Sequence, residues 1–73
     1  MNDEEILKIV IMQMLEHNRI HIGKYAQWGQ YAKTNQLVEL SALLGEAKHL
    51  VESENGALRK ILDHLTSIDN VNS

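Results

Sequence analysis

The sequence predicts an all-α protein, folded as a helical hairpin and assembled with a second copy into an antiparallel helical bundle. Three observations carry that reading. No proline interrupts the 73 residues and only four are glycine, so the chain has the composition of helix rather than sheet. In the second half, apolar residues return every seven positions at Leu37, Leu44, Val51, Leu58 and Leu65, beside a second line at Leu40, Ala47, Glu54, Ile61 and Ile68. One short polar segment, Lys33-Thr34-Asn35-Gln36, divides the chain into two arms of matching length.

The first arm is expected over residues 3 to 33. Asn2 or Asp3 can cap it, and Glu5 suits the positive end of a helix. Leu7, Met14, His21 and Trp28 lie seven apart, flanked by Ile11, Asn18, Tyr25 and Ala32, so the stripe is apolar at both ends and polar in the middle. Asn18, a good capping residue, or Gly23 could break this arm, and a three-helix monomer is the competing fold. At the turn, Lys33 places a cation near a helix end, and Asn35 tolerates the left-handed conformation and can cap the next helix. The second arm is expected over 36 to 66, where Leu43, Leu50 and Leu62 widen the stripe beyond a two-stranded seam. Residues 1–66 then form one helical domain, and 67–73, polar apart from Ile68 and Val71, form a frayed tail.

Arms of this length run about 46 Å each at 1.5 Å per residue. Folding hides only roughly 60% of the surface of so short a chain, and with no cysteine there is no disulfide to compensate. Two broad stripes exceed what a lone hairpin covers, which predicts a homodimer, most simply a four-helix bundle with twofold symmetry. Folding about residues 35 and 36 sets side by side those positions whose numbers total about 71. His17, Asn18 and His21 then meet Glu54 and Asn55 in one polar layer, at the level where both stripes are interrupted.

Two readings compete for that layer. A hydrogen-bonded polar cluster can fix register and partner choice, as a core Asn does in coiled coils. Alternatively, His17 and His21, four apart on one helical face, are a ligand pair for zinc or nickel, with Glu54 as a third ligand or as the carboxylate orienting a ring. A twofold axis near the layer would gather four histidines. Tyr25, Trp28 and Tyr31, the only aromatics, are expected to anchor the core near the turn, or to wall a ligand cavity beside the histidines. Glu46-x-x-His49 matches half of a di-iron carboxylate motif but falls away from the stripe, on the solvated side, and His64 flanks the stripe as a surface residue.

Other functions are disfavoured. Seven Lys and Arg against ten Asp and Glu leave a net charge of −3, with the cations dispersed rather than gathered into a nucleic-acid face. The start, Met1-Asn2-Asp3-Glu4-Glu5, is acidic where a leader is basic, and the longest apolar run, Ile9 to Met12, is too short for a membrane span. A cytoplasmic protein is the expectation, and the missing cysteines fit a reducing compartment. Ser41, Ser53 and Ser67 lack nucleophile context, and Gly23-Lys24 and Gly45 lack phosphate-loop spacing, so no enzyme is predicted.

The segment Leu15-Glu16-His17-Asn18-x-x-His21-x-x-x-Tyr25-x-x-Trp28, followed by a heptad helix carrying Glu54-Asn55, resembles a family of short, uncharacterised all-helical proteins, mainly archaeal. The resemblance covers about residues 10 to 65 and singles out His17, Asn18, His21, Trp28 and Asn55. Where that pattern often has a further histidine and a tryptophan, this chain has Gln13 and Met14, which removes a possible metal ligand. The resemblance implies a fold and a set of marked residues but no activity. The function expected is a self-association or protein-interaction module with a polar His/Asn/Glu layer in its core and no cofactor. The alternative is a small transition-metal protein using His17 and His21.

Overall fold

A computed structural model describes residues 2–72, with side chains through residue 67. Two helices, α1 (Asp3–Thr34) and α2 (Val38–Asn72), pack against each other as an antiparallel hairpin. Helix α1 is continuous through Asn18 and Gly23, so the three-helix alternative does not form. Neither residue meets a competing cap. Asn18 turns its amide to the other helix instead of to its own backbone. Helix α2 runs past residue 66, where the sequence reading ended the arm, and Ser73 and the side chains beyond 67 lie outside the described residues.

Both ends of α1 are held by local chemistry. Asn2 sits in extended backbone and its Oδ1 accepts from the Glu5 amide at 2.9 Å, with Asp3, Glu4 and Glu5 placing negative charge on the first turn. At the other end, the Leu37 amide donates to the Ala32 carbonyl at 2.8 Å and the Gln36 amide to the Lys33 carbonyl at 3.1 Å. These two bonds form a Schellman closure, which requires a left-handed residue just past the cap. Gln36 takes it, with φ of 64°. Asn35, the residue expected there, stays at φ −95° as the cap and donates its Nδ2 to the Tyr31 carbonyl. Nor does Asn35 cap α2, because the Leu37 carbonyl accepts that helix's first bond, from the Ser41 amide.

The seam between the helices follows the 3–4 spacing of heptad packing. On α1 it passes through Ile11, Leu15, Asn18, Ile22, Tyr25, Gly29 and Ala32, all buried or half-buried. On α2 it passes through Ser41, Leu44, Lys48, Val51, Asn55, Leu58, Leu62 and Leu65. Cross-seam pairs such as Asn18 with Asn55 and Gly29 with Ser41 total 73 and 70, close to the expected 71. Ile11, Leu58 and Leu65, backed by Leu15 and Leu62, form the apolar cluster at the open end. Near the turn small residues let the helices approach, and the Ser41 hydroxyl donates to the Gly29 carbonyl at 3.0 Å. No helix among the described residues is long and apolar enough to cross a membrane.

Two substitutions test this packing by chemical denaturation. Gln36→Gly removes the cost of a side chain in the left-handed region and should stabilise the fold by about 1 kcal/mol. Leu58→Ala should destabilise it by about 2–4 kcal/mol, because the core cluster has few members to close the cavity.

Candidate functional site

At mid-length the apolar seam gives way to Asn18 and Asn55, the buried polar residues among those described. The Asn18 Nδ2 donates to the Asn55 Oδ1 and to the Glu54 Oε2, both at 2.9 Å. One amide group thus uses both of its protons across the seam. No buried side-chain polar atom among the described residues is left without a partner. Such a satisfied cluster fixes register, since sliding the helices by one turn would strand two amides among leucines.

The five residues expected in one core layer divide between two places. Asn18 and Asn55 occupy the seam, and Glu54 reaches it from its edge. His17 is exposed and His21 half-buried, each one residue before a seam position (Asn18 and Ile22), which turns them about 100° around the helix. Their Nε2 atoms approach to 2.9 Å, their rings meet edge to face, and His21 stacks along Tyr25. Among the described residues no three His, Asp or Glu side chains converge to hold an ion within one chain, so Glu54, engaged by Asn18, does not join the histidines as a third ligand there.

The same one-residue step organises the whole outer face. Moving back one position from every seam residue of α1 gives Val10, Met14, His17, His21, Lys24, Trp28 and Tyr31, and Leu7 continues that row toward the N-terminus. On α2 the step gives Leu40, Leu43, Ala47, Leu50, Glu54, Ala57, Ile61 and His64. In antiparallel right-handed helices a backward step turns both helices toward the same side, so these rows lie next to each other on one face of the hairpin. Its large apolar members are exposed, with Trp28 at 52% and Leu50 at 70%. The expected aromatic anchor therefore does not close the chain's own core. Tyr25 lies in the seam, while Trp28 and Tyr31 pack edge to face on the outer face, because small Gly29 and Ala32 hold the inner positions near the turn.

The opposite face, one step forward from the seam, is polar over most of its length. It carries Glu5, Glu16, Arg19, Gln30 and Lys33 on α1, and His49, Glu52, Arg59 and Asp63 on α2. Arg19 donates to Glu16 at 2.9 and 2.7 Å, and this hydrogen bonding draws the Glu16 carboxyl below its ordinary range and raises the Arg19 guanidinium. A hollow of about 370 Å³ opens on this side between Met12, Leu15, Arg19, Asn55, Arg59 and Leu62, away from the histidines. Glu46 and His49 flank a shallow groove along α2, walled by that helix alone.

Residues 7–65 match the model of a family described as a domain of unknown function, DUF8180. The chain belongs to this family. The match spans both helices, the polar layer and the turn. No curated protein and no solved structure matches the chain.

The amide cluster predicts a non-additive pair of substitutions. Asn18→Ala should cost about 1–3 kcal/mol, because it strands the Asn55 amide at the centre of the seam. Adding Asn55→Ala should cost less than the sum of the two single changes, as read by denaturant titration of all four proteins.

Proposed function

We propose that this chain is a self-association module, in which two hairpins press their apolar faces together into a four-helix bundle. One observation carries the reading: the molecule measures 55 × 17 × 12 Å, a layer two helices wide and one helix thick. A single layer has no partner for the leucines, Trp28 and the other apolar residues of its outer face, and protein domains ordinarily close their cores with a second layer. The area agrees. The surface is 5615 Å², against roughly 4,600 Å² for a compact monomer of its 8.3 kDa. An excess of roughly 1,000 Å² on each of two chains is the area that a stable protein interface hides.

A second copy is the occupant favoured over an unrelated partner because the face is self-complementary. Its main polar break, at His17, His21, Lys24 and Glu54, lies near mid-length, as do Asn18 and Asn55, and His64 stands apart from it toward the open end. Twofold pairing of the faces, whether the helices run parallel or antiparallel across it, sets polar level on polar level and leucine on leucine. The charged opposite face stays in water. On this reading, of the residues marked by the family resemblance, His17, His21 and Trp28 set the register of the assembly, while Asn18 and Asn55 set that of the hairpin.

Leu43→Glu and Leu50→Glu place a carboxylate in that interface and should weaken dimerisation at least about 100-fold by sedimentation equilibrium. Gln30→Glu, on the opposite face, should leave it within about threefold. A wild-type chain that sediments as a monomer at millimolar concentration while circular dichroism shows it folded would overturn the proposal.

A further inference from the structure

Resting on the self-association reading, we propose that His17 and His21 form one half of a transition-metal site that the partner subunit's His17 and His21 complete at the twofold axis. The ion is a divalent late first-row metal that accepts ligands at right angles, Ni²⁺ or Cu²⁺.

The separation of the two Nε2 atoms points to that class. Two imidazole nitrogens about 2.05 Å from an ion subtend about 90° when they stand 2.9 Å apart, whereas a tetrahedral ion wants about 3.3 Å. Right-angle nitrogen coordination belongs to square-planar and tetragonal ions, and nickel and copper stand high in the affinity order for imidazole. Within the chain the short approach holds a single proton, which one Nε2 donates and the other accepts. When an ion enters, the shared proton moves through solvent from the donor ring's Nε2 to its Nδ1, so each neutral ring offers a bare Nε2 and carries its one proton on Nδ1. Stacking on Tyr25 limits the freedom of the His21 ring, so part of the ordering cost of a ligand is met before the ion arrives.

Placement supplies the rest. The exposed His17 and half-buried His21 fill two coordination positions and leave the others to water. The pair lies at mid-length of α1, so a twofold axis running across the helices, which sets α1 against α1 of the second chain, brings the second pair to the same place. Four imidazoles then surround one ion, with Glu54 of each chain at the same level to balance its charge. Met14 lies one turn from His17 on the same row, while on the other side Lys24 lies one turn from His21 and Trp28 two, so the layer is apolar on one flank and meets a cation on the other.

Titration calorimetry with nickel chloride, combined with native mass spectrometry, tests this. Wild type should bind one Ni²⁺ per two chains, and EDTA should raise the dimer dissociation constant at least about tenfold. His17→Ala and His21→Ala should each weaken nickel binding at least about tenfold while remaining dimeric in EDTA. A dimer that takes up no nickel overturns the metal site and leaves self-association standing. A monomer that binds one Ni²⁺ per chain overturns the shared site and self-association together. Equal nickel binding by wild type and the double alanine variant overturns the histidine assignment.

Discussion

The thickness of the molecule governs the rest of its behaviour. A helix has one stripe facing its partner, and in a two-helix layer that stripe is the only surface the chain can bury for itself. Here each helix carries two apolar rows side by side, one residue out of step, and the hairpin uses one of them. The core it makes is correspondingly small: Ile11, Ala32, Leu58 and Leu65 are its buried apolar residues among those described. Exposed apolar side chains line one face, and the Glu16–Arg19 pair and other charged residues lie on the other, which is the asymmetry the self-association proposal rests on. Neither disulfide nor proline is present to stiffen the chain, so the second row is the available source of further stability.

Within that frame the central polar layer divides its work between two faces. Asn18, Asn55 and Glu54 lock the helices of one chain in register by a hydrogen-bond geometry that a one-turn slip would destroy. His17 and His21, a third of a turn away, lie on the outer face at the same level. Buried amides cost stability relative to leucine and return specificity, since alternative registers leave them unmet. The apolar cluster at the open end supplies cohesion, while the Schellman closure at Gln36 and the Ser41 bond to Gly29 fix the closed end.

Much of this was legible in the sequence. The heptads, the two arms, the turn and the meeting of Asn18 with Glu54 and Asn55 all follow from spacing. The choice between adjacent rows does not. Leu7, Met14, His21 and Trp28 are larger and more apolar than Ile11, Asn18, Tyr25 and Ala32, and hydrophobicity alone would send the first row inward. The second row wins because close helix packing near the turn prefers Gly29 and Ala32, and because Asn18 has a partner across the seam. Likewise Asn35 has the higher left-handed propensity, yet the position of the last helical turn assigns that conformation to Gln36. Membership of the DUF8180 family, a domain of unknown function, covers both helices and assigns no activity.

The central claim is that a second layer covers the first. Small-angle X-ray scattering across a concentration series measures it most directly. The account predicts a particle of twice the 8.3 kDa chain mass whose long dimension stays near 55 Å while its thickness roughly doubles. A particle of one chain mass at all concentrations, or one of two masses that is markedly longer than 55 Å, would contradict it.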